Sequence, residues 1–191
     1  MSGFHPQRIL CPTDMSEISG TAVRCGLAWA ARFKAKAFVL MARELTLPPR
    51  YFTPEQVAAL TRQADEVEGE VRADLEGWVK GLDVGGVPFE TVIGPGPADR
   101  AILRAIHVIK TDLVVMGTHG RSGYNRFLMG STAEKVIRQI ATPTLVIREG
   151  CRRLLKGGPA AGTIEIRRIL CAADDSKVTG TNVAAVAEIA R

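Results

Sequence analysis

The sequence predicts an α/β protein: a doubly wound five-stranded parallel sheet, plus one βα unit of a second copy. Three observations carry that reading. Short, almost wholly apolar runs recur along the chain. Segments of helical period stand between them. A string that begins at residue 8 returns at residue 168. Apolar strands that alternate with helices belong to a parallel sheet covered on both faces. Right-handed crossovers then make the sheet doubly wound.

The first run, Arg8-Ile-Leu-Cys-Pro12, reads as a buried strand. A helix is predicted over 16–34, where Val23, Leu27, Ala30 and Phe33 recur at helical spacing. Residues 37–42 form the second strand, and Leu47-Pro48-Pro49 breaks the chain. Thr53-Pro54-Glu55-Gln56 opens the next helix, with Thr53 as N-cap, proline at the first helical position and Gln56 completing a capping box. Val57, Leu60, Ala64, Val67, Val71, Leu75, Trp78 and Leu82 then follow in steps of three and four, one inward face of a long helix. Gly85-Gly86 stops it. Residues 87–93 give the third strand, and Gly94-Pro-Gly-Pro97 turns into a helix over 98–110 with Ile102, Ile106 and Ile109 inward. Residues 112–116 form the fourth strand, 131–140 the fourth helix and Thr144–Ile147 the fifth strand.

The repeat lies beyond these elements. Under a shift of 160, residues 8–23 overlay 168–183 with nine of 16 positions identical, and the helical spacing recurs at Val183, Ala187 and Ala190. The expected organisation is one complete domain over 1–148, a basic Gly/Pro linker over 149–163, and the first βα unit of a second domain over 164–191. A lone βα unit cannot bury its own apolar face. The expectation is therefore a fragment of a tandem two-domain protein. A natural short form, with the extra unit docked on the first domain, is the alternative.

Composition narrows the function classes. With 46% hydrophobic and 24% charged residues over 191, the chain is of ordinary globular type. Its longest apolar runs are far below the ~20 residues that a membrane span needs. The N-terminus shows no signal-peptide pattern. The four cysteines form no CxxC pair, so reduced thiols and a cytoplasmic location are expected, without a disulfide framework or zinc site. Net charge is +5, and residues 148–168 supply four of those charges through six basic residues against two glutamates. The basicity belongs to the linker and not to a folded face, which argues against nucleic acid as the partner.

The chemistry concentrates in Gly117-Thr-His-Gly120-Arg-Ser-Gly-Tyr-Asn-Arg-Phe-Leu-Met-Gly130-Ser131-Thr132, between a buried strand and a helix. Glycines let backbone N–H groups converge on an anion. A helix start adds unsatisfied N–H groups and the positive end of a dipole. Ser131 or Thr132 can add a hydroxyl, and Arg121 can approach a polyphosphate. No lysine precedes Ser131, so this is not a Walker A loop. It follows the fourth strand and not the first, so it is not the dinucleotide fingerprint.

The spacing Gly117-x-x-Gly120, nine residues, Gly130-Ser131 resembles the G-2x-G-9x-G-S/T pattern of the universal stress protein family. Asp112-Leu-Val-Val-Met-Gly-Thr-His-Gly, Thr142-Pro-Thr-Leu-Val-Ile-Arg148 and Pro12-Thr-Asp-Met-Ser16 are similar to the flanking strands of that family. The resemblance covers about residues 5–148, with 166–191 resembling the start of a second such domain. It implies a Rossmann-like sheet and ATP, with Mg²⁺, as ligand. Gly117, Gly120, Gly130, Ser131 and Thr132 would hold ribose and phosphates, with Met116 and Arg121 beside them. Pro12, Thr13 and Asp14 would meet the nucleoside from the first strand end, and Ala42 would offer backbone to adenine. It also implies dimerisation through Thr144–Ile147, or an intramolecular pseudo-dimer in a tandem protein. Two departures stand out. Leu40-Met41-Ala42 replaces the family's Leu-His-Val, and Gly94-Pro-Gly-Pro97-Ala98 is a crowded form of its Gly-x-Pro-Ala turn.

No catalytic constellation is visible: no GxSxG elbow and no His/Cys metal pattern. The expected function is an ATP-binding stress regulator or sensor with at most slow hydrolysis. A weak ATPase and a nucleotide-free interaction module, docking an acidic partner through Arg152, Arg153 and Lys156, are the alternatives. Asp14 is a candidate N-cap of the first helix as well as a ligand contact. His119 reads as a loop residue, Cys11 as a small core residue.

Overall fold

Alternation of side chains along each strand decides the layering. Ile9 and Cys11, Ala37 and Val39, and Leu113 and Val115 enter one core. Leu10, Phe38, Leu40, Val114 and Met116 enter another on the opposite face. The computed structural model describes residues 4–43, 52–82, 85–118, 129–148, 151, 166, 169–170 and 186–187. Within them the elements run β1 (Arg8–Thr13), α1 (Glu17–Phe33), β2 (Lys36–Arg43), α2 (Pro54–Gly81), β3 (Phe89–Pro95), α3 (Ala98–Ile109), β4 (Leu113–Gly117), α4 (Ser131–Ile137) and β5 (Thr144–Ile147). The strands form one parallel sheet in the order β3-β2-β1-β4-β5. This is the α/β architecture expected from the sequence.

α1 lies against the centre of the sheet, and Gly26 sets how closely. A Cβ at residue 26 would stand 2.2 Å from the Cys11 Sγ, so the helix sits on β1 at a distance that no side chain permits. Ser16 is the N-cap, its hydroxyl accepting from the Ser19 N–H at 3.3 Å. Asp14 is therefore not the cap. Its Oδ1 accepts instead from the Ser16 N–H at 3.1 Å, a turn that leads β1 into the helix.

Across the sheet's other face, the Gly94-Pro-Gly-Pro97 turn divides its two glycines by task. Gly94 lets α3 seat on β3, since a Cβ there would lie 2.8 Å from that of Ala101. Gly96, at φ 91, takes the left-handed conformation that glycine adopts without strain. β3 starts two residues later than the apolar run predicts and reaches Pro95.

α2 has the predicted capping box: Gln56 N–H donates to Thr53 Oγ1 at 3.3 Å, and Thr53 N–H to Gln56 Oε1 at 2.9 Å. Its inward face is shorter than the periodicity implies. Leu75 and Val79 are fully buried, while residues 54–63 are all exposed. The helix outruns the body it packs on. α4 ends at Ile137, earlier than predicted, because the chain tightens there and the Gln139 N–H turns back to the Val136 carbonyl at 3.0 Å. Among the described residues no helix is long and apolar enough to cross a membrane.

Candidate functional site

Strand order reverses between β1 and β4, so their connections leave toward opposite faces and a crevice opens at their carboxyl ends. A cavity of about 280 Å³ occupies that crevice. Pro12, Thr13 and Asp14 enter it from the end of β1, Ala42 from β2, and Met116 and Gly117 from β4. Gly130, Ser131 and Thr132 close the side where α4 begins. These nine residues are among those singled out in the sequence. Gly120 and Arg121, with His119, lie outside the described residues.

The site is held from below by a hydroxyl cluster that joins Thr13 to Ser19, a residue the sequence did not single out. Thr13 Oγ1 lies 2.9 Å from Ser19 Oγ and accepts the Met15 N–H at 2.9 Å. Ser16 Oγ donates to Ser19 Oγ at 3.1 Å, and Ser19 Oγ donates to the Ser16 carbonyl at 3.0 Å. Thr13 and Ser19 are buried, and both line the cavity. Met15, between Asp14 and Ser16, has φ 61, an uncommon conformation for a residue with a side chain. The strained turn and the hydroxyl network together fix where the Asp14 backbone leaves the strand.

The opposite wall is tied with equal economy. The Gly130 N–H donates to the Thr118 carbonyl at 2.7 Å, and the Thr118 N–H to the Ile147 carbonyl at 2.9 Å. The start of α4 is thereby fastened to the ends of β4 and β5. Gly130 caps α4 without a side-chain acceptor, so the first N–H groups of the helix keep capacity to bind an external acceptor. Leu40, Ala98 and Ile102 make the floor apolar. Asp14 is the single ionisable side chain among the described lining residues. Such a lining offers an apolar floor, hydroxyls and one carboxylate at the β1 end, and N–H groups at the α4 start. Sequence reasoning could have found Ser19 from its place three residues past an N-cap serine. Thr118 and Ile102 carry no comparable signal.

The family model described as "Universal stress protein family" matches residues 6–148. The chain belongs to the universal stress protein family. It is 29% identical over 147 residues to the universal stress protein MJ0531 of Methanocaldococcus jannaschii, covering 75% of this chain and 82% of that one. A universal stress protein of Thermus aquaticus is 31% identical over 141 residues, covering 73% and 97%. Among solved structures, the universal stress protein UspA from Lactobacillus plantarum superposes with a TM-score of 0.56 at 24% identity, over 74% of this chain and 97% of that one. The M. jannaschii protein MJ0577 gives 0.55 at 20% identity, over 75% and 96%. These likenesses show the shared fold of the universal stress protein domain.

Proposed function

We propose that the crevice between β1 and β4 is an ATP site, occupied with Mg²⁺, and that this universal stress protein acts as a cytoplasmic nucleotide-dependent regulator. One observation supports the reading above the others: nine residues chosen from the sequence for nucleotide contact line a single cavity at the switch point of the sheet. In this reading the apolar floor receives the base and the carboxylate of Asp14 meets ribose hydroxyls. The phosphates run outward along Gly130, Ser131 and Thr132, where Arg121 and Mg²⁺ supply the positive charge that the described lining lacks. Mg²⁺ keeps most of its water shell in such a site and needs no dedicated protein cage. Asp14 is the sole ionisable group in the described lining, and in this reading it binds ribose and turnover is slow. Regulation follows when ATP binds one conformation or assembly better than another. β5, a four-residue strand with one neighbour, is the edge through which we expect two copies to pair.

Calorimetric titration of the full chain with Mg²⁺-ATP tests the site. Micromolar affinity is expected, and Gly130→Asp is expected to abolish it by placing a carboxylate against the phosphates. A folded wild-type chain that binds no nucleotide would show the glycine loop to be structural. The interaction-module reading would then lead.

A further inference from the structure

α2 carries one apolar stripe through two environments. Eighteen residues make about five helical turns, so Val57 stands directly above Leu75 and Leu60 above Trp78. Leu75 is fully buried and Trp78 packs against the core, whereas Val57 is 40% and Leu60 38% exposed. Phe52, 37% exposed, precedes the N-cap at the position of a hydrophobic staple to Val57. Solvent-facing helix ends normally give up apolar residues, yet this one keeps its stripe where the body no longer covers it. It also keeps its shape locally, through the capping box, Pro54 and the Arg72–Glu68 pair at 3.0 Å.

We propose that the open half of α2 is an interface with a second copy of this chain, formed by antiparallel packing of the two helices. The spacing fits an identical partner. Val57, Leu60, Ala64, Val67 and Val71 follow steps of 3, 4, 3 and 4, the seam of a two-helix coil. Charge fits as well. The flanking residues Gln56, Thr61 and Gln63 are uncharged, so over 56–64 an identical helix meets no like charge, and the acidic flanks Glu68 and Glu70 lie beyond that stretch. The first charged flank, Glu68, is paired with Arg72. Direction follows from the fold. The other half of α2 lies on the body, so a parallel pair would crowd both bodies at one end, while an antiparallel pair places them at opposite ends. Such a twofold contact is self-complementary. It is separate from β5: Arg72 Nη1 donates to the Thr91 carbonyl at 2.7 Å, anchoring α2 on β3 at the far edge of the sheet.

Hydrogen exchange of the full chain across a range of concentrations tests the proposal, with sedimentation velocity alongside. Amides of residues 54–67 are expected to gain protection as the chain associates. Leu60→Glu is expected to remove that protection and weaken association at least ~10-fold. Arg62→Glu, off the seam of the same helix, is expected to leave both unchanged. Circular dichroism confirms that each variant keeps its helix. Association without protection at 54–67 would assign the contact to another surface and overturn the proposal. So would protection of 54–67 that is independent of concentration, which would mean that a segment of the same chain, such as residues 164–191, covers the stripe.

Discussion

Residues 8–23 and 168–183 share nine of 16 positions, yet the described parts of the two stretches stand in opposite surroundings. Ile9 and Leu10 have no exposed surface, whereas Ile169 is 38% and Leu170 95% exposed. Nothing in the shared string Arg-Ile-Leu-Cys accounts for the difference. β1 is a strand because β2 and β4 pair with it on both sides and helices cover both faces. The later differences between the copies matter too. Gly26, which lets α1 touch Cys11, corresponds to Val186, although Cys11 corresponds to Cys171. Ala22, fully buried, corresponds to Asn182. A valine at that position puts a side chain where α1 has none. In our reading residues 164–191 resemble the start of a second copy, joined by the linker of 149–163, and of their described apolar residues Ile169 and Leu170 are exposed.

The largest expected contrast is in thiol chemistry. Burial pushes the Cys25 thiol up to about 12 and raises that of Cys11 further. Both stay protonated and enclosed at pH 8, so alkylation must wait for unfolding, an opening that global stability makes at least ~10³-fold rare. Cys171, next to Leu170, is expected to label at the rate of a free thiol, and mass spectrometry after a timed pulse reads the difference. Equal slow labelling of Cys11 and Cys171 would mean that the copy is packed. The sign of the pH effect follows from the raised value for Cys25. Its contribution to stability is complete below the ordinary thiol value of 9.0 and is lost as pH rises toward about 12, because the unfolded chain ionises first.

Next in size is core truncation. Leu10→Ala removes a fully buried side chain between β2, β4 and the α3 layer, and is expected to cost about 2–5 kcal/mol in chemical denaturation. Leu170→Ala is expected to stay within about 0.5 kcal/mol. A comparable loss at both positions would break the comparison.

These contrasts also mark what was legible in the sequence. Strand number and β5 bounds, the α2 capping box and the switch-point crevice could be read, because each follows from local spacing or from topology alone. Nine residues that the family resemblance names line that crevice, and topology alone accounts for those at strand ends, which converge at a switch point. The reach of α2 could not. Periodicity tells which face of a helix is apolar, but not where the neighbouring body stops, so Val57 and Leu75 look alike in sequence. Ser19 and its bond to Thr13 escaped notice because their meeting is a tertiary event, and the left-handed Met15 has no sequence mark such as glycine. Asp14 was placed at the site, while its alternative role as N-cap went to Ser16, two residues on.

A third contrast concerns glycine. Gly26→Ala adds a Cβ that would stand 2.2 Å from Cys11 Sγ, with Val115 also within 3.4 Å. Overpacking of this kind is expected to cost about 1–3 kcal/mol despite the better helix propensity of alanine. The paired change Gly26→Ala with Cys11→Ala should recover much of the loss, because it removes the sulfur. No recovery would mean that the Val115 contact, and not the thiol, sets the spacing of α1.

The smallest expected effect is the most informative about the copy. Ser16 caps α1 through its hydroxyl, and Ser176 holds the equivalent place in the repeat. Ser16→Ala is expected to cost about 1 kcal/mol, the usual loss of an N-cap. It also removes one member of the hydroxyl cluster that joins Ser19 to Thr13 at the cavity wall, so Mg²⁺-ATP affinity should fall with stability. Ser176→Ala removes the same group from a string whose described residues Ile169 and Leu170 are exposed, and is expected to change neither quantity. A cap has value only where a helix end is formed and its N–H groups are otherwise unpaired. Val186 and Ala187 are helical, so if Ser176→Ala does lower stability, Ser176 caps the helix that contains them. Exposure of Leu170 would then stop short of that helix, and folding of the second copy would start from the helix.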